Sequence, residues 1–170
     1  FDQIVFTGLP QKDGSDGSDF LITEVKFANP DSADPFNDSL SGGDGFDQIF
    51  GGVGNDTIAG DAGNDRLFGE DGDDTLSGGD GDYYINGGAG NDLLTTGLGQ
   101  DTLMGGEGND TLKNSDGDDS LDGGAGDDSI VATGGEDTLR GGTGADTMEG
   151  GEDAAEALEA IAADHPLPKL

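Results

Sequence analysis

The chain has 170 residues, the length of one domain, yet 38 acidic against 6 basic side chains give it a formal net charge of −32, and only 31% of it is hydrophobic beside 35 glycines. Such a chain cannot offset its ordering entropy by burying apolar surface, so it is either disordered or neutralised by something cationic. The charge excludes nucleic acid and anionic membrane surfaces as partners. With no cysteine and one histidine, His165, disulfides, thiolate sites and zinc are excluded too, while abundant carboxylates and backbone carbonyls suit a hard cation, Ca²⁺ or Mg²⁺.

Residues 1–32 read as an N-terminal flanking β segment. Phe1-Asp2-Gln3-Ile4 has neither the basic region nor the apolar core of a secretory leader. It echoes Phe46-Asp47-Gln48-Ile49, as though the chain began inside an earlier repeat. The stretch from Asp13 to Asp19 (DGSDGSD) reads as a solvated polar loop, and Phe20–Phe27 (FLITEVKF) alternates enough to predict a strand. No apolar run anywhere approaches the ~20 residues of a membrane span. Ala33–Ser41 is a degenerate opening repeat, with Phe36-Asn37-Asp38-Ser39-Leu40 in register with the units after it.

From Gly42 to Glu149 the sequence divides into twelve nine-residue units without an insertion, from GGDGFDQIF and GGVGNDTIA to GGTGADTME. Position 4 is Gly in every unit, position 8 is Ile, Leu or Met, and position 6 is Asp in eleven, with Tyr83 the exception. Positions 1 and 2 are mostly Gly but admit residues such as Thr96, Asn114, Ala132, Asp61, Glu70, Ser115 and Thr133. An obligatory Gly marks a backbone angle or a close approach that a Cβ would prevent. Positions 1–6 therefore predict a tight turn and positions 7–9 a short strand, with position 8 facing a thin core and position 7 facing water. A three-residue strand is unstable alone. Two units can form one flattened coil of eighteen residues, and coils can stack at the ~4.8 Å strand spacing.

After Gly151 the composition turns to Ala, Glu and Leu. Asp153-Ala154-Ala155-Glu156 resembles a capping box, which predicts a short helix to about Asp164 with Leu158 and Ile161 on one face, ended by His165-Pro166. Residues 150–170 thus read as a cap over the open end of the coil, with a secretion signal or a partner-binding helix as the alternative.

The unit G-G-x-G-x-D-x-U-x, with U large and apolar, resembles the calcium-binding nonapeptide of the RTX (repeats-in-toxin, haemolysin-type) proteins, and the resemblance covers residues 42–149. It implies a right-handed parallel β-roll, Ca²⁺ held in the turns, and export of a secreted bacterial protein through a type I channel. The expected fold is therefore all-β: a β-solenoid of eighteen residues per turn over residues 33–149, closed by a short C-terminal helix.

Units on one edge of such a coil recur every eighteen residues. One edge carries Asp38, Asp56, Asp74, Asp92, Asp110, Asp128 and Asp146; the other carries Asp47, Asp65, Tyr83, Asp101, Asp119 and Asp137. Stacked carboxylates repel, and a divalent ion between each pair reverses the repulsion, with turn carbonyls completing a shell of six to eight oxygens. The twelve aspartates are the expected metal ligands. They make five full sites on the first edge, a weaker one at Asp38, and three on the second, at Asp47/Asp65, Asp101/Asp119 and Asp119/Asp137. Tyr83 removes a carboxylate from two more, and the adjacent Asp82 points elsewhere, so the full sites number about eight or nine, with eleven as the upper bound.

The sequence has no HExxH motif, no nucleophile–base set and no complete EF-hand loop, so these residues predict no enzyme. Two function classes stay open. One is a calcium-folded, extracellular module that assists secretion of a covalently attached passenger. The other is a surface-layer, adhesin or filament subunit at the cell surface that self-associates end to end.

Overall fold

A nine-residue unit with one apolar position can bury that position only against copies of itself. The computed structural model describes residues 36–151 and the backbone of Phe20–Leu21, and over that span the units pair into a parallel β-solenoid of about six turns. The strands, numbered in chain order, alternate between two seven-stranded sheets. One holds β1 (Phe20–Leu21), β3 (Asp47–Val53), β5 (Arg66–Asp71), β7 (Tyr84–Ala89), β9 (Thr102–Glu107), β11 (Ser120–Ala125) and β13 (Thr138–Thr143). The other holds β2 (Ser39–Gly45), β4 (Thr57–Gly63), β6 (Thr75–Ser77), β8 (Leu93–Thr95), β10 (Thr111–Lys113), β12 (Ser129–Val131) and β14 (Thr147–Glu149).

Strands pair in parallel with like positions opposite one another: Leu112 lies between Leu94 and Ile130, and Leu121 between Leu103 and Leu139. The position-8 side chains of both sheets point inward and form the core, Leu40, Ile49, Ile58 and so on to Leu139, with Met148 partly buried at the end. Position 7 is exposed or half-buried throughout. On the outer face of the first sheet the parallel register stacks like on like, with the Phe50 and Phe68 rings 4.7 Å apart.

The turns close their own backbone bonds by stacking. The position-4 amide donates to the next turn, as Gly72 N–H does to the Ala89 carbonyl at 2.8 Å. The position-7 amide donates to the turn before, as Thr75 N–H does to the Asp56 carbonyl at 2.8 Å. These bonds pair turn backbone groups that the strand ladders do not reach. The position-4 glycines are required by geometry. Gly90 has φ +134, and a Cβ there would run into the Gly72 carbonyl of the neighbouring turn.

Two expectations need correction or a boundary. Positions 1–3 do not lie wholly within a turn, as the spacing predicts, because after each unit of the first sheet they extend the ladder: Gly124 and Ala125 pair with Gly142 and Thr143. A glycine with positive φ at position 2 lets the chain bend while its neighbours stay in register. The expected C-terminal helix and most of the Phe20–Phe27 stretch lie outside the described residues, and among the described residues there is no helix.

Because the core is one side chain thick, each position-8 residue is irreplaceable by its neighbours. Leu94→Ala is expected to destabilise the folded chain by about 2–5 kcal/mol. Leu98→Ala, at an exposed turn residue, should change stability by no more than about 0.5 kcal/mol. Denaturant unfolding of the two variants beside the unmodified protein checks the contrast.

Candidate metal centre

Each position-6 aspartate is the last turn residue before a strand, so strand alternation turns its side chain to the same side as position 8, into the coil. Asp47, Asp56, Asp65, Asp74, Asp92, Asp101, Asp110, Asp119, Asp128 and Asp137 are all buried, while Asp38 and Asp146, in the terminal turns, are half-buried. Asp82 is exposed.

The carboxylates do not face one another directly across the stack. From Asp56 and Asp65 onward, each uses Oδ1 to accept the main-chain N–H of the position-6 residue one turn earlier. Asp74 accepts from Asp56 at 2.7 Å, Asp92 from Asp74 at 2.8 Å, Asp110 from Asp92 at 2.8 Å, and Asp128 from Asp110 at 2.8 Å. On the other edge Asp65 accepts from Asp47, Asp119 from Asp101 and Asp137 from Asp119. The ladder ends with Asp38 donating to Asp56 and Asp128 donating to Asp146. Backbone thus separates successive carboxylates and ties them together.

The second oxygen is the telling one. Oδ2 of Asp65, Asp74, Asp92, Asp110, Asp119, Asp128 and Asp137 is fully buried, and no donor among the described residues reaches it. Position 1 of the same unit lies beside it. A Cβ on Gly87 would collide with Asp92 Oδ2 and lie 2.7 Å from the Gly105 carbonyl oxygen of the next turn; Gly123 stands in the same relation to Asp128 and, at 2.7 Å, to Gly141. A carboxylate oxygen and a carbonyl oxygen therefore converge on the place that glycine leaves open. Two buried acceptors with no hydrogen between them call for a proton or a cation. Among the described residues no three acidic or histidine side chains gather at one point. A cation here would take much of its shell from backbone carbonyls, which fits Ca²⁺.

Titration follows from the same burial. Burial raises the carboxyl of Asp92 to about 7 and those of Asp110 and Asp119 to about 6. The accepted N–H opposes the rise, and neighbouring aspartates add to it. Asp38, Asp65, Asp74, Asp101 and Asp128 are raised for the same leading reason.

Tyr83 occupies the position-6 place on the second edge and is itself buried. Its hydroxyl donates to the Asp61 carbonyl at 2.8 Å. Burial first, then the Asp65 and Asp101 carboxylates, hold the phenol up at about 12, so it stays protonated. Sequence reasoning missed a second ladder at position 5. Asp73 N–H donates to Asn55 Oδ1, Asn91 N–H to Asp73 Oδ1, Asn109 N–H to Asn91 Oδ1 and Asp127 N–H to Asn109 Oδ1. The signal was the frequency of Asn and Asp at position 5, residues whose short side chains bond nearby backbone.

Comparison with known families agrees with this geometry. The model of one family, described as RTX calcium-binding nonapeptide repeat (4 copies), matches residues 32–67, 51–85, 59–94, 84–112, 104–139 and 122–154. Searches of curated proteins and of solved structures returned no match.

A carboxyl that holds its proton more tightly when folded favours folding as pH falls. Without metal, the coil should therefore gain stability on acidification from about pH 7 toward the ordinary aspartate value of 3.8. Calcium bound at these carboxylates would have to displace those protons, so its binding should weaken over the same range, by up to about tenfold per pH unit for each proton displaced. Far-UV circular dichroism at pH 7.5 and pH 5.5, in EGTA and across a calcium titration, checks both signs.

Proposed function

The chain belongs to the RTX calcium-binding nonapeptide repeat family, and on that premise we propose that it is a module of a secreted protein that coils up when it meets calcium outside the cell. The ligands are the position-6 aspartates from Asp38 to Asp146 together with turn carbonyls. The observation that carries this reading is the row of buried Oδ2 atoms converging with glycine carbonyls. Bound calcium supplies the positive charge that these acceptors lack. The chain's own residues do the rest: position-1 glycine leaves the space, the Oδ1 hydrogen bond fixes the carboxylate, and the position-8 side chain anchors the turn.

The net charge of −32 gives the coupling its direction. Where calcium is scarce, self-repulsion and buried carboxylates oppose the fold. Where it is abundant, a site whose Kd lies ten- to thirtyfold below the ambient concentration adds about 1.4–2 kcal/mol, and several sites together switch a marginal fold on. A chain kept extended inside the cell and folded outside suits passage through a narrow export channel, with residues 33–149 as the folding unit for an attached passenger. A right-handed coil of eighteen residues per turn, closed at its C-terminal end by residues 150–170, completes this reading.

End-to-end assembly into filaments or layers is the second reading. Its support is that β13 and β14 each have a single strand neighbour among the described residues, and an open strand edge is a template for pairing.

A calcium titration followed by circular dichroism, with magnesium as control, tests the proposal. Coil-to-β conversion is expected with calcium alone and should be sigmoidal, because neighbouring turns share ions. Equal β content and compactness in EGTA would overturn it. Sedimentation of the calcium-loaded chain separates the two readings: a monomer supports the module, and concentration-dependent rods support assembly.

A further inference from the structure

The two edges of the coil are not built alike. On the first edge position 1 is glycine in every unit from Gly51 to Gly141. Position 2 there has positive φ throughout: Gly52, Glu70, Gly88, Gly106, Gly124 and Gly142. On the second edge that conformation stops after Gly79; Gly97, Ser115 and Thr133 do not adopt it. Strand lengths on this edge change one turn sooner. β2 and β4 run on through the turn as far as Gly45 and Gly63, whereas β6, β8, β10, β12 and β14 end at position 9.

Side chains explain the change. On the first edge a position-1 Cβ would occupy the place where carboxylate and carbonyl oxygens converge. On the second edge Thr96 and Asn114 put atoms in that position of the repeat. Asn114 is buried, and its Nδ2 donates to Asp101 Oδ2 at 3.0 Å and to Thr96 Oγ1 at 2.7 Å. Asp101 Oδ1 already accepts the Tyr83 N–H at 2.8 Å. Both Asp101 oxygens therefore have donors, unlike those of Asp65, Asp119 and Asp137, whose Oδ2 atoms have none among the described residues. One turn earlier the Tyr83 ring lies against Gly78 and reaches Gly60, and its hydroxyl satisfies the Asp61 carbonyl.

We propose that Tyr83, Thr96 and Asn114 form a metal-free clasp that replaces calcium across three successive gaps of the second edge, from Asp65 to Asp119. In place of an ion, the Tyr83 phenol O–H supplies a hydrogen to the Asp61 carbonyl, and the Asn114 amide supplies hydrogens to Asp101 Oδ2 and Thr96 Oγ1. The first edge keeps an unbroken ion row, and the second keeps one isolated site at Asp47/Asp65, where position 1 is Gly42; Asn114 and Ala132 put a Cβ at position 1 of the Asp119 and Asp137 units. This inference rests on the reading of the aspartate rows as calcium ligands.

Counting bound calcium on the full chain by native mass spectrometry tests it. The unmodified chain should bind no more than seven ions: one at each consecutive aspartate pair of the first edge from Asp38 to Asp146, and one at the isolated pair Asp47/Asp65. The double variant Thr96→Gly/Asn114→Gly should bind at least one more than the unmodified chain, and Tyr83→Asp at least one more. Eight or more ions on the unmodified chain, or equal counts for it and calcium-folded variants, would overturn the clasp and leave the calcium reading standing. No bound calcium on any of the three chains would overturn both.

Discussion

Two oxygen acceptors cannot be buried against each other without a positive charge or a proton between them. In this chain that condition recurs along the coil, wherever an aspartate Oδ2 meets the carbonyl of a position-1 glycine in the next turn. Much of the rest of the structure arranges it. Position-1 glycine makes room, Oδ1 locks the carboxylate onto the preceding turn's amide, and the position-8 side chain beside it fixes the depth of the turn. The same condition makes these atoms the place where a proton and a cation would compete, and burial lifts Asp92 to about 7.

Regularity and weakness go together in such a fold. Each turn touches only its neighbours, and its core contribution is one apolar side chain per unit. A globular protein of this length spreads its stability over a three-dimensional core; here the order runs along one axis, and any element that bridges turns counts. The carboxylate ladder at position 6 and the amide ladder at position 5 both bridge turns, in opposite directions. Position-6 amides donate forward to the next turn's carboxylate, and position-5 amides donate back to the previous turn's side chain. The second edge shows that a bridge need not be ionic, since the Asn114 amide joins Thr96 and Asp101 with neutral donors.

The sequence alone determined the period, the apolar row and the placement of the aspartates, because an obligatory glycine and an obligatory apolar residue, each recurring every nine residues, leave few ways to pack. Gly90, Leu94 and Asp92 could be assigned to turn, core and turn end from their phase alone, as could the missing carboxylate at Tyr83. Only the tertiary structure decided what each carboxylate does with its two oxygens, since Oδ1 of Asp110 finds its donor in the backbone of Asp92, eighteen residues away. It also decided that Thr96 and Asn114, which read in the sequence as tolerated departures from glycine, act together on Asp101. A nine-residue phase shows which residues share an edge, but which of them touch depends on how adjacent turns sit on one another, and that is a property of the stack.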